Sequence, residues 1–166
     1  MGKIVLLILG PNGVGKSTTA RTILEKLPHS ALVDSDWCRA MNPYDMEVAT
    51  NNMYALLRNY LSSPNIKTLI VPYGFHGDRQ QRYDMVKEKL TSERIVYEEF
   101  PVVLKCSYDE LILRLYNDLR NDERIKRGIR NTFDFYDNYD FPVIETTGLS
   151  ADEASDMIIA LLAGRK

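Results

Sequence analysis

The residues with the most chemical content are Gly10-Pro11-Asn12-Gly13-Val14-Gly15-Lys16-Ser17. Glycines at this spacing let the backbone coil into a nest of N–H donors around phosphate oxygens, and a helix beginning just beyond adds its own amides. A lysine at position 16 can reach the β- and γ-phosphates, and the Ser17 hydroxyl can bind Mg²⁺. The pattern G-x-x-x-x-G-K-[ST] is met at every required position. A chance match in a chain of this size has a probability on the order of one per cent. An apolar strand before it and helical periodicity after it form the expected context. The expected ligand is a nucleoside triphosphate cradled by Gly10, Asn12, Gly13, Val14, Gly15, Lys16, Ser17 and Thr18, with a plain Gly-rich turn as the alternative.

Val33-Asp34-Ser35-Asp36 ends a short apolar stretch and leads into Trp37-Cys38-Arg39. Two carboxylates at i and i+2 on an extended strand end point to the same side. There, one could hold hydrated Mg²⁺ while the other takes a proton from an attacking hydroxyl. An Asp-rich turn capping the next helix is the competing interpretation. Further along, Arg114, Arg120, Arg124, Lys126, Arg127 and Arg130 crowd into seventeen residues, with only Asp118, Asp122 and Glu123 against them. On one continuous helix Arg120, Arg124 and Arg127 would share a face, suited to the charge that builds on a transferring phosphoryl group. A solvated face with i, i+4 ion pairs explains the same residues. Trp37, Tyr44, Tyr73, Phe75 and His76 lie just past strand ends near Arg39 and Arg79. They form a candidate acceptor pocket or half-buried packing.

These groups need a scaffold, and the periodicity supplies one. Strands are predicted at 3–9, 31–33, 68–71, 102–106 and 143–145. Helices are predicted over 17–27, around Met53 to Leu61, over 78–90 and through Leu111, Ile112, Leu115 and Leu119. A last helix opens on the capping box Ser150-Ala151-Asp152-Glu153. Strands alternating with helices imply an α/β sandwich around a largely parallel sheet, with ligands beyond the carboxyl ends of the strands. The 166 residues fit one domain at the usual ~150 residues per domain. Composition is that of an ordinary globular protein, 45% hydrophobic and 27% charged. The net charge of -2 gives no overall attraction to nucleic acid or an anionic membrane. The longest apolar run near the start, Ile4 to Leu9, is too short to span a bilayer. Two isolated cysteines, Cys38 and Cys106, suit neither a disulfide framework nor a zinc site, and they fit a cytoplasmic protein.

Guanine-type recognition through Asn-Lys-x-Asp and the ABC-type Leu-Ser-Gly-Gly-Gln are both missing. With the phosphate loop, the Asp-x-Asp and the basic segment on the page, the chain resembles the small P-loop kinases with a mobile lid. This group includes shikimate kinase, gluconate kinase, chloramphenicol phosphotransferase and the nucleoside monophosphate kinases. The resemblance implies an α/β P-loop NTPase sandwich with a five-stranded, largely parallel sheet, helices on both faces and a small helical lid near residues 116–138. The implied activity is transfer of the γ-phosphate of ATP, with Mg²⁺, to a small-molecule hydroxyl by a monomer or homodimer. By the same likeness, Asp34 holds magnesium through water and Asp36 orients or deprotonates the acceptor, as in the shikimate kinase pair. Arg114 would stack on adenine, Arg120 and Arg124 close on the triphosphate, and Thr147 in Thr146-Thr147-Gly148 flanks the base. Arg39 resembles the adenylate kinase arginine that clasps the acceptor's phosphate, and Tyr73, Phe75 and His76 would line the acceptor side. Two departures limit the likeness. Tyr73-Gly74-Phe75-His76 lacks the adenylate kinase Gly-Phe-Pro-Arg, and the shikimate kinase Gly-Gly-Gly is missing. Nucleoside kinases and a nucleotide-binding switch without phosphotransfer are the alternatives.

Overall fold

A computed structural model of the chain describes residues 2–118 and 122–165, the side chains of Arg124, Arg127 and Asn131 excepted. The element order is β1 (Ile4–Leu9), α1 (Lys16–Lys26), β2 (Ser30–Leu32), α2 (Ser35–Cys38), α3 (Met46–Ser62), β3 (Thr68–Pro72), α4 (Arg79–Ser92), β4 (Glu98–Lys105), α5 (Tyr108–Asn117), α6 (Asp122–Thr132), a 3₁₀ turn (Phe135–Asn138), β5 (Val143–Glu145) and α7 (Ala151–Ala163). The five strands form one parallel sheet in the order β2-β3-β1-β4-β5. Because side chains alternate along a strand, β1 feeds both layers of the core. Val5, Leu7 and Leu9 meet Met53, Leu57 and Leu61 of α3 and Tyr83, Val86 and Leu90 of α4. Leu6 and Ile8 meet Ala20 and Ile23 of α1, Leu111 and Leu115 of α5, Ile125 of α6 and Ile158 of α7. A strand apolar at every position therefore sits centrally, covered by helices on both faces.

The inner strand β4 begins four residues earlier than its apolar pattern predicts, at Glu98 instead of Val102. Its first residues carry charge, which hides the strand. Pro101 also sits inside it, where a missing N–H ordinarily breaks a ladder. Here β4 alternates its N–H groups: Glu98 N–H donates to Lys3 O on the β1 side, and Val103 N–H donates to Pro142 O on the β5 side. Pro101 falls on the β5 side, and β5 joins the register only at Val103. The proline therefore costs no ladder bond.

Two other expectations change. Asp34 and Asp36 do not share an extended strand end. β2 stops at Leu32 and Asp34 becomes the N-cap of α2, its carboxylate accepting the Asp36 N–H at 3.0 Å. Nor does one helix carry the basic segment. α5 closes at Asn117, where the Asp118 N–H turns back to the carbonyls of Arg114 and Tyr116, and α6 begins at Asp122. Asp122 and Glu123 in the first turn of α6 favour a new start there through the helix dipole.

Candidate active site

The phosphate loop leaves β1 and enters α1 in a conformation that other residues could not adopt. Gly10 lies at φ 141°, and a Cβ there would stand 2.4 Å from the Leu104 carbonyl oxygen. At Gly13, φ is 86° and a Cβ would come 2.4 Å from Leu115 Cδ2. The loop is thus pressed against β4 on one side and α5 on the other. Gly15 caps α1 with no side-chain hydrogen bond, and the first turn of α1 holds no acid. Its leading amides are left for an anion, the arrangement a phosphate exploits. Lys16 Nζ lies across the loop, donating to the carbonyls of Gly10 at 2.9 Å and Pro11 at 2.7 Å.

Three elements lock around this loop. Arg114 of α5 donates from Nη1 to Val14 O at 2.8 Å and to Thr146 Oγ1 at 3.0 Å. Its Nη2 reaches Thr146 O at 2.8 Å and its Nε reaches Glu110 at 2.8 Å. The guanidinium edge is therefore spent on the protein, which fixes the plane of the group and leaves stacking to its face. From the other side, the buried Thr132 of α6 accepts the Asn12 N–H at 3.2 Å and donates to Gly128 O at 2.5 Å. That pair seats α6 directly on the loop. Beneath it, the buried Tyr136 hydroxyl accepts the Phe75 N–H at 2.9 Å, tying the 3₁₀ turn to the end of β3.

A polar cavity of about 1050 Å³ runs along the carboxyl edge of the sheet. It brings together Asn12, Gly13, Val14, Gly15, Lys16, Ser17 and Thr18 with Asp34, Asp36, Arg39, Tyr73, His76 and Arg114. Four expectations differ. Phe75 does not line the cavity; it is 7% exposed and packs in the core among Tyr73, Tyr83 and Tyr139. Trp37, at 74% exposure, and Tyr44 are exposed and do not line the cavity. In the Thr146-Thr147 pair it is the buried Thr146 that faces the cavity. Thr147 Oγ1 instead accepts the Ser107 N–H at 2.7 Å and donates to Glu145. Arg120 lies outside the described residues, as does the side chain of Arg124. Sequence reasoning missed Thr146, Thr132 and Tyr136. Adjacent threonines are indistinguishable until the strand end fixes which one turns inward, and the other two act through contacts distant in sequence.

Among the described residues no group of three or more His, Cys, Asp or Glu could cage a metal ion. Ser17 and Asp34, which both line the cavity, nevertheless suit Mg²⁺, which keeps several waters and takes one or two protein oxygens alongside phosphate.

His76 stands half-buried with Nδ1 lacking a hydrogen-bond partner among the described residues. Burial pushes its pKa down from 6.5 to about 4, assisted by the cations Arg79, Lys16, Arg39 and Arg82. The unfolded chain takes up this proton near pH 6.5, whereas the folded one resists it until about pH 4. Stability must therefore fall as pH drops through that window. Thermal midpoints followed from pH 7 to 4 should decline less steeply for His76→Gln than for the parent, and parallel curves would refute this origin.

The five-stranded parallel sheet, with its glycine loop between β1 and α1, defines an α/β P-loop nucleoside triphosphatase fold. No protein-family model matches the chain, and no curated protein matches it in sequence. Solved structures do match in fold. A gluconokinase from Sinorhizobium meliloti aligns at TM-score 0.63 and 16% identity, covering 98% of this chain and 91% of that one. A shikimate kinase from Acinetobacter baumannii in complex with shikimate gives 0.61 and 19%, covering 98% and 94%. The APS kinase of Mycobacterium tuberculosis in complex with AMPPNP and APS gives 0.61 and 21%, covering 98% of each chain. The chain thus shares the fold of P-loop small-molecule kinases. Among the described residues, no helix is long and apolar enough to cross a membrane.

Proposed function

We propose that this protein is a kinase that transfers the γ-phosphate of ATP, with Mg²⁺, to a hydroxyl of a small-molecule acceptor. The observation that carries this reading is the single cavity joining the phosphate loop to Asp34, Asp36, Arg39 and His76. Its volume of about 1050 Å³ accommodates a nucleotide and a second molecule. The loop amides and Lys16 hold the phosphates, Ser17 and Asp34 hold the hydrated ion, and Asp36 takes the acceptor's proton. Arg120 and Arg124 close on the triphosphate; for position 124, which lies on α6, the seating of that helix on the loop at Asn12 and Thr132 supports the role. Both cysteines are free and buried, which suits a reducing cytoplasm.

A coupled ADP-release screen over sugars, sugar acids, nucleosides, nucleotides and antibiotics tests the reading. Stimulation by one acceptor supports it. Basal hydrolysis alone, with tight ATP binding, would replace it with a nucleotide switch. Arg114→Ala should weaken ATP about 10-fold through loss of the stacked cation, and kcat should stay close to the parental value. Because four hydrogen bonds at the edge of Arg114 also vanish, the melting temperature should fall as well. Unchanged ATP affinity would detach Arg114 from the base.

A further inference from the structure

Tyr83 and Tyr136 are the two bulkiest fully buried side chains, and their hydroxyls meet opposite ends of the sheet. Tyr83 donates to Glu99 Oε1 at 2.8 Å, near the amino end of β4. Tyr136 lies at the carboxyl end, where its oxygen accepts the Phe75 N–H at 2.9 Å. A phenol is buried only with its oxygen partnered, so the partner indicates what that oxygen holds.

β1 and β3 run in parallel register as far as Ile8 and Pro72, and the Tyr73 N–H adds one bond to Ile8 O at 3.0 Å. Beyond it the two chains part. β1 continues through Gly10 into the phosphate loop, and β3 continues through Phe75 to His76 on the cavity wall. The Tyr136 oxygen stands in this fork. Burial pushes its pKa up, and the backbone amides of Phe75 and Gly10, one from each branch, pull it back.

Four residues earlier a second hydroxyl serves the phosphate loop. The buried Thr132 Oγ1 accepts the Asn12 N–H at 3.2 Å. The stretch from Thr132 to Tyr136 is therefore a bridge with one hydroxyl on each branch. The bridge is itself anchored. Asp137 pairs with Lys105 at the end of β4, and the Tyr139 hydroxyl donates to Gln80 of α4 at 2.9 Å. Phe135 and Tyr139 pack on the Tyr136 ring with centroids 5.1 and 5.8 Å away. Held on β4 and α4 as well as on both branches, so short a segment fixes one separation between them. Both hydroxyls take backbone amides, so they act on ligands through the loops they hold.

We propose that Thr132 and Tyr136 are positioning residues that hold the phosphate loop and the His76 loop at a fixed separation, and that this separation sets the distance for phosphoryl transfer. This deepens the kinase reading and rests on it for the transferred group, whereas the bridge itself rests on the hydrogen bonds. Reacting atoms must come within about 3–3.5 Å, and a misplacement of about 1 Å can cost about 100-fold in rate. Binding is spared, because each loop keeps its own shape when one strut of the bridge is removed.

The test removes each oxygen with little change of side-chain shape, in Tyr136→Phe and Thr132→Val. Both variants should fold by circular dichroism and bind Mg·AMPPNP with close to parental affinity and stoichiometry. Per nucleotide-binding site, kcat for acceptor-dependent ADP release should fall about 10- to 100-fold, with both KM values within about threefold of the parent. Two hydroxyls in one bridge act as a unit, so the double variant should lose little beyond the worse single one. Thr132→Ser keeps the oxygen and should return to within about threefold of parental kcat. Amide exchange followed by NMR reads the bridge without turnover. Phe75 in Tyr136→Phe and Asn12 in Thr132→Val should each exchange about 10-fold faster, the worth of one hydrogen bond. Should Tyr136→Phe unfold, the two Thr132 variants decide alone. Parental kcat per site in the folded variants, a defect confined to KM or AMPPNP affinity, multiplying losses in the double variant, or Thr132→Ser as impaired as Thr132→Val each overturns the proposal. Failure of the kinase reading looks different: the amides respond and AMPPNP binds, yet no acceptor raises ADP release even in the parent. The bridge then stands, and its role in transfer falls.

Discussion

Replacing Lys16 with Met is expected to lower acceptor-dependent ADP release by at least about 100-fold, the usual scale for losing one donor aimed at developing charge. In the proposed reaction the ammonium would serve phosphate oxygens whose charge shifts during transfer, so no neutral side chain of the same length would substitute for it. Stability should suffer far less. Lys16 bonds the carbonyls of Gly10 and Pro11, and each such bond contributes about 1 kcal/mol net. Met also preserves the packing of the aliphatic stem. Far-UV circular dichroism and a melting curve should therefore show a folded variant whose midpoint is lower by about 8 °C or less. A folded Lys16→Met protein with parental turnover would refute the phosphate-loop assignment.

The second large effect separates the two carboxylates, and their different settings make the separation clean. Asp36→Asn should reduce kcat by about 100-fold, the low end for losing a general base, because proton loss is late in a loose phosphoryl-transfer transition state. Its ion pair with Arg39 is exposed and worth about 1 kcal/mol or less, so unfolding does not account for such a loss. Asp34→Asn should instead raise the Mg²⁺ concentration giving half-maximal rate, since a metal-bound water loses its anionic partner. Asparagine caps a helix as well as aspartate does, so the 3.0 Å bond from the Asp36 N–H survives and α2 stays in place. Paired Mg²⁺ titrations of the acceptor-dependent rate read both variants at once. Exchanged phenotypes would swap the roles, and two parental curves would leave Asp34 as a helix cap and nothing more.

The fold was legible in the sequence wherever burial is complete on both faces of a strand or along one stripe of a helix. Ile4–Leu9 is apolar throughout because its side chains feed both layers of the core, and α3 shows a single stripe at Met53, Leu57 and Leu61 because one face of it meets one layer. The glycine loop was readable too. Positive φ at Gly10 and Gly13, and the close approach of Leu104 and Leu115, allow no other residue there. The capping box at Ser150 and Glu153 formed as its local chemistry requires.

Tertiary structure decided what local pattern leaves degenerate. Whether Phe75 faced a ligand or the core depended on Tyr83 and Tyr139, which arrive from other elements. Thr146 rather than Thr147 turned inward because Arg114, thirty-two residues earlier, supplies donors on that side. Pro101 could lie inside β4 only because β5 begins its pairing at Val103. That Arg79 makes no ion pair among the described residues is likewise invisible in a sequence that places Asp78 directly beside it. In the folded chain Asp78 pairs with Arg82, one helical turn on, and Arg79 points with Arg39 toward the cavity. Periodicity records how a residue relates to its own element. The identity of its neighbours across space is fixed only when the strands register and the helices dock.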